Sequence, residues 1–208
     1  MQKSIPDWKE VTQKSYDIHA EEFASFTTVF RGRLQKWIDY FSGQLPKDSV
    51  VLDVGCGAGR DASYFISKDF SVTGIDFSEK LIDIARKKVP KGKFLVMDFE
   101  ELEFTENSFD GAWASASLLH MPKERLLSVL IKINSVLKKG GLFFSLYRVG
   151  KGEKFTKEKR GNAVLERFYA YYKPDEIRSL LKKAGFKGIT SELDVIETGD
   201  WVGFFARK

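Results

Sequence analysis

The run Val50-Val51-Leu52-Asp53-Val54-Gly55-Cys56-Gly57-Ala58-Gly59-Arg60 constrains the fold more than any other part of this chain. Its apolar start suits a parallel strand buried on both faces. The glycines that follow allow a tight turn and a close approach of backbone to a ligand. From Arg60 to Ser67 the pattern reads as a helix, whose N-terminus offers free N–H groups and a positive dipole end. Strand, glycine turn and helix together make a cradle for a nucleotide-type cofactor.

The spacing narrows the choice of cofactor. A dinucleotide turn needs Gly-x-Gly-x-x-Gly/Ala, with a small last residue so that helix and strand pack closely. Here Arg60 stands in that place, and the pattern is Asp53-x-Gly55-x-Gly57-x-Gly59. Val72-Thr73-Gly74-Ile75-Asp76 reads as a second short strand ending in a carboxylate, 17 residues after Gly59. Lys93-Phe94-Leu95-Val96-Met97-Asp98-Phe99, Phe109-Asp110-Gly111-Ala112-Trp113-Ala114 and Leu137-Lys138-Lys139-Gly140-Gly141-Leu142-Phe143-Phe144 follow in order. This ordered series, over about residues 48–148, resembles the class I S-adenosylmethionine (SAM) methyltransferases. Lys139 stands where the family usually has proline.

The resemblance implies a Rossmann-like α/β fold: a doubly wound sheet of seven strands, order 3-2-1-4-5-7-6, with strand 7 antiparallel and helices before it. It implies SAM as cofactor and methyl transfer by in-line displacement. Carried onto this sequence, the cofactor-binding positions are Asp53, Gly55, Cys56, Gly57, Gly59, Arg60, Asp76, Phe77, Asp98, Phe99, Ala114 and Tyr16. Asp76 stands where the family's acid takes both ribose hydroxyls, and Asp98 where the adenine amino group is held. Tyr16 belongs to Tyr16-Asp17-Ile18-His19-Ala20-Glu21-Glu22-Phe23, which resembles a helix that closes over the cofactor in small-molecule members. Arg60 is read two ways, as partner of a ligand carboxylate or of Asp61. Asp53 either orients the turn or meets the methionine ammonium through water.

With 208 residues the chain fits a single domain with a sizeable core. Its net charge of +5 comes from Lys and Arg scattered among acids, which reads as a solvated surface, so nucleic-acid binding is not expected. Cys56 is the one cysteine, so no disulfide forms within the chain and a reducing cytoplasm is the default. As a nucleophile it is less plausible than as a small residue packed under the turn. Met1–Trp8 lacks the apolar segment of a signal peptide. No apolar run approaches the ~20 residues that span a bilayer. No metal is expected, and the assembly is read as a monomer or homodimer.

Residues 1–45 read as an N-terminal helical cap, with Phe30, Leu34, Trp37, Ile38 and Phe41 on one helix face. Ser78 is a candidate N-cap, and Pro174 a first helical residue with Gly185 past the end. Residues 188–196 and 201–207 read as the last two strands, separated by Thr198-Gly199-Asp200. Residues 149–172 read as an irregular, charged, lid-like insertion whose tyrosines pack only once a ligand is present.

Chemistry beyond the cofactor turn is sparse. His120, following the fourth strand, is the candidate general base, set against a packing or hydrogen-bonding role beside the cofactor. Tyr147, Arg148, Tyr169, Tyr171 and Tyr172 are the candidate substrate-pocket residues, and their aromatic faces would suit a cationic amine. The leading expectation is an enzyme (class 2.1.1) methylating a small molecule. The alternatives are a tRNA, rRNA or protein methyltransferase, and a SAM-binding regulator without catalysis. A nicotinamide oxidoreductase is disfavoured by Arg60 and the Asp98 turn.

Overall fold

A computed structural model describes residues 7–29, 31–195 and 199–208, so residues 1–6, Phe30, Ile196 and Thr198 of the readings above lie outside the described residues. Five strands are parallel: β1 (Val50–Val54), β2 (Ser71–Asp76), β3 (Lys93–Val96), β4 (Phe109–Ser115) and β5 (Leu137–Arg148). After a separate hairpin, β6 (Glu153–Arg160) and β7 (Ala163–Ala170), come β8 (Lys187–Asp194) and β9 (Trp201–Arg207). The main sheet has the order β3-β2-β1-β4-β5-β9-β8, with β9 antiparallel to both neighbours. This is the expected seven-stranded topology, β8 and β9 being the expected sixth and seventh strands.

Helices cover both faces. On one, α3 (Arg31–Gly43) and α4 (Arg60–Ser67) pack on Val51, Trp113, Phe144 and Phe205. The Trp113 and Phe144 rings stack there with centroids 4.0 Å apart. Leu34, Trp37, Ile38 and Phe41 are all buried, as their spacing requires. On the other face, α6 (Lys123–Val136) and α7 (Pro174–Lys183) cover Leu52, Val54, Phe143 and Phe204. Each buried aromatic or large aliphatic side chain contributes about 1.5–3 kcal/mol.

Local capping chemistry places several boundaries. Ser78 Oγ accepts from Leu81 N and starts α5 (Glu79–Lys88). Pro174 opens α7, where Glu176 accepts from Lys173 N at 2.6 Å. The α6 helix ends at Val136, and Gly140 (φ +79) sits where the β4–β5 register shifts.

The stretch 149–172 is not irregular. It holds the β6–β7 hairpin, paired from Glu153↔Ala170 to Arg160↔Ala163. Its two-residue loop begins at Gly161 with φ +61, as a type II′ turn needs. Along β7, Ala163, Leu165 and Arg167 are buried while Val164 and Glu166 are exposed. The charged residues of β6 concealed this period of two. Tyr169 and Tyr172 are buried, at 3% and 1% exposure.

An edge strand exposes unpaired N–H groups. Here α1 (Trp8–Ile18) answers those of β7: Thr12 Oγ1 accepts from Phe168 N at 3.0 Å and Ser15 Oγ from Glu166 N at 2.9 Å. With α2 (Ala20–Val29), these elements roof the carboxyl ends of β1, β4 and β5. No described helix is long and apolar enough to cross a membrane.

Candidate functional site

A cavity of about 730 Å³ lies under that roof, a size that suits a small-molecule ligand. Its floor is the glycine turn. Gly55 N and Cys56 N both donate to Ile75 O, at 2.8 and 2.9 Å, which ties the turn to the end of β2. Gly57 N donates to Asp76 Oδ2, and Ser78 N to Asp76 Oδ1, both at 2.9 Å. One carboxylate therefore fixes two turns at the cavity rim. Burial raises the Asp76 carboxyl to about 6, against the lowering effect of these two N–H groups.

The turn carries an unusual carboxyl. Asp53 is 2% exposed and its Oδ2 has no hydrogen-bond partner among the described residues. Burial, then the nearby Asp61 carboxylate, push its carboxyl well above the ordinary range. Arg60 lines the cavity and binds Asp61 with two hydrogen bonds, Nε to Oδ1 at 2.6 Å and Nη2 to Oδ2 at 2.8 Å. Trp113 Nε1 also donates to Asp61 Oδ2, at 2.9 Å. The salt bridge with Asp61, one of the two readings of Arg60, is formed. Burial pushes the Cys56 thiol well up, which fits a packed thiol rather than a nucleophile.

Opposite the turn, His120 is 5% exposed and both ring nitrogens are engaged. Nδ1 lies 2.7 Å from Phe168 O, a carbonyl that only accepts, so Nδ1 carries the proton. Nε2 then accepts from Tyr16 Oη at 3.0 Å. Arg167 Nη1 donates to the same phenol oxygen at 2.8 Å. Burial, with Arg167 nearby, pushes the imidazole down to about 3.

The far end of the cavity is charged and aromatic. Glu158 accepts from Arg148 Nη1, Arg167 Nη2 and Tyr169 Oη. The two guanidiniums also lie 5.7 and 5.2 Å from the Tyr169 ring centre. The ring of Tyr169 is thus already served by this chain's own cations. Cations flanking this ring give a cationic amine no advantage at Tyr169.

Of the residues singled out in the sequence, Tyr16, Asp53, Gly55, Cys56, Gly57, Arg60, Asp76, Phe77, Phe99, His120, Arg148 and Tyr169 all line this cavity. Others do not. Gly59 (φ +81) caps α4 and faces Val89, Ala85 and Phe94, so its role is packing. Ala114 is fully buried within the sheet. Tyr147 points to the opposite sheet face, against Tyr172 and Phe204, because neighbours on a strand alternate and Arg148 takes the cavity side. Tyr172 follows Tyr147, and Tyr171 sits outside the cavity beside Gly150. Asp98 lines a smaller adjoining cavity of about 370 Å³, which shares Phe77 with the first. There its Oδ2 pairs with Lys9 Nζ at 2.5 Å.

Arg167 and Glu158 were missed as site residues. The signal was present: Ala163, Leu165, Arg167 and Tyr169 share one face of a strand. It required reading the Gly161-Asn162 loop as a hairpin turn.

The set of groups fits a nucleoside ligand bearing an ammonium. Asp53 offers an unpartnered buried oxygen, Asp76 a carboxylate at the rim, and a Cβ on Gly57 would meet only Phe23 Cε1, at 3.7 Å. Backbone approach at Gly57 is therefore open.

Comparisons with known proteins agree with this geometry. A family model described as a methyltransferase domain matches residues 51–141. The O-methyltransferase cnsE of Penicillium expansum is 34% identical over 67% of this chain. The chain spans about half of that protein (52%) and less than two thirds of two other fungal O-methyltransferases it matches. A magnesium protoporphyrin IX methyltransferase from Synechocystis, solved with bound SAM, superposes with a TM-score of 0.76 at 17% identity, covering 100% of both chains. The 1,6-didemethyltoxoflavin-N1-methyltransferase of Burkholderia thailandensis does so with a TM-score of 0.75 at 21% identity, over 100% of this chain and 93% of that one. With the strand order, the glycine turn and the acid at the end of β2, these matches identify residues 51–141 as a methyltransferase domain, on the fold that SAM-dependent methyltransferases share.

Proposed function

We propose that this chain binds SAM and transfers its methyl group to a small-molecule acceptor in a cytoplasmic setting. The observation that carries this reading is the continuity of one cavity, from the glycine turn at Asp53 and Gly57 to Arg148 and Tyr169 beyond Tyr16. A cofactor on the turn leaves acceptor space at the far end, which favours an enzyme over a regulator without catalysis.

In this reading Asp76 takes the ribose hydroxyls, the Gly57 backbone lies against the ligand, and Asp53 meets the ammonium. Asp98 and Phe77, at the smaller cavity, serve the adenine. When bound, SAM supplies an electrophilic methyl group on its sulfonium. The roof of α1 and the β6–β7 hairpin excludes water and aligns the acceptor, and positioning of this kind supplies ~7–11 kcal/mol of barrier reduction in favourable cases. His120 acts as a positioning residue: at neutral pH its imidazole holds no second proton, and Nε2 fixes the Tyr16 phenol over the cavity.

Thermal unfolding tests the cofactor. SAM or S-adenosylhomocysteine at about 100 times its Kd is expected to add ~2.7 kcal/mol, a rise of roughly 5–10 °C, because it binds the native state only. NAD and NADP are expected to leave Tm unchanged. Tight NAD binding by calorimetry without SAM binding overturns the reading.

Asp76 gives a second test. Asp76→Ala is expected to weaken S-adenosylhomocysteine binding by about 1.5–3 kcal/mol, one to two decades, with the fold intact. The wild-type affinity is also expected to fall as pH drops below about 6. The sign follows from the ligand: hydroxyls donating to the carboxylate favour its charged form, so protonating the free protein opposes binding, by up to roughly tenfold per pH step of one. An Asp76→Asn protein should lose this pH dependence. Unchanged affinity in Asp76→Ala means the ribose sits elsewhere.

A further inference from the structure

The far end of the cavity contains more cationic machinery than methyl transfer requires. Arg167 is 3% exposed, yet it lines the cavity rather than the core. Its Nη1 donates to Tyr16 and its Nη2 to Glu158, while its Nε has no acceptor among the described residues. Arg148, with a side chain 12% exposed, reaches the other oxygen of Glu158 at 2.8 Å. Tyr169 Oη donates to Glu158 Oε2 at 2.9 Å. Three donors from β5 and β7 therefore converge on one carboxylate, and that carboxylate itself lines the cavity.

Two guanidiniums in a partly enclosed space are costly unless anions meet them. Guanidinium forks and a phenol O–H match the lone pairs of a carboxylate or phosphate. Glu158 supplies such a group from β6, the hairpin strand farther from α1. Glu158 is only half-buried, on a hairpin strand next to solvent, so its carboxylate has a way out to water. Exchanging one carboxylate for another keeps every charge-assisted hydrogen bond at Arg148, Arg167 and Tyr169.

We propose that the acceptor carries an anionic group, a carboxylate or a phosphate, that binds Arg167, Arg148 and Tyr169 in place of Glu158. Glu158 then acts as an internal stand-in that keeps the donors paired until the acceptor enters. This rests on the methyltransferase reading, since the anion anchors the molecule whose other end faces the turn. The same guanidiniums disfavour a cationic group at this end of the cavity.

The test is calorimetry on the full chain saturated with S-adenosylhomocysteine, titrated with benzoate, phenyl phosphate, benzyl alcohol and benzylamine. At least one of the two anions is expected to bind about tenfold or more tightly than benzyl alcohol, and benzylamine not at all. The tighter anion identifies the group. Glu158→Gln is expected to strengthen anion binding by about fivefold or more, because it removes the competing charge, whereas a purely structural Glu158 would weaken it or leave it unchanged. Arg167→Gln is expected to weaken anion binding about tenfold while S-adenosylhomocysteine still binds. If that protein does not fold, Arg148→Gln makes the same test. Equal binding of benzoate, phenyl phosphate and benzyl alcohol, or no gain in Glu158→Gln, overturns the inference while leaving the cofactor reading intact. Absence of S-adenosylhomocysteine binding overturns the methyltransferase reading itself.

Discussion

Replacing Gly57 by valine is expected to abolish S-adenosylhomocysteine binding, a loss of at least ~4 kcal/mol or a thousandfold in affinity. Gly57 adopts φ +53, where an L side chain costs ~1–2 kcal/mol. A Cβ there meets nothing closer than Phe23 Cε1 at 3.7 Å, so the protein should still fold, with Tm lowered by a few degrees. The branched side chain instead fills the space the ligand needs, beside the N–H that Asp76 accepts. Calorimetry checks this. A folded Gly57→Val protein with normal titration would mean that the ligand does not lie on this turn.

Gly55→Ala is expected to strike the fold rather than the ligand. Gly55 has φ +73, and its Cβ would lie 2.2 Å from Ser117 Cβ and 3.6 Å from Ser117 Cα. No rotamer change moves those atoms. Left-handed strain and overpacking together cost about 3–5 kcal/mol, a large part of the ~5–15 kcal/mol that holds a domain together. Tm should fall by roughly 6–20 °C. Adding Ser117→Gly removes the opposing Cβ, and although Ser117 Oγ loses its bond to Val54 O, the double variant should be more stable than Gly55→Ala alone. If Ser117→Gly lowers stability equally in both backgrounds, the contact does not carry the effect. Two glycines two residues apart thus differ: Gly57 borders open space in the cavity, and Gly55 keeps β1 against the loop after β4.

Much of this architecture was legible because its causes are local. The glycine turn, the Ser78 cap and the Pro174 start each depend on residues within one turn of themselves. The continuous apolar strands announced a covered parallel sheet, and Asp76 ends its strand as the spacing required. The hairpin was hidden because β6 presents Thr156 and Glu158 where a core strand would present apolar groups. Its partners are α1 hydroxyls some 150 residues away, at Thr12 and Ser15, and no local pattern reports them.

The sequence by itself determined the sheet, its cofactor-type turn and the identity of Asp76 as the acid at the rim, since backbone angles and strand periodicity act between near neighbours. Tertiary structure alone decided which face each strand residue serves. Tyr147 and Arg148 are adjacent, equally plausible on paper, and lie on opposite sides of the sheet. It also decided that burial disfavours a charged His120, that Tyr16 is its partner, and that Arg167 and Arg148 meet over Glu158. Those pairings depend on burial and on charges brought together from distant segments, quantities that exist only once the chain has closed on itself.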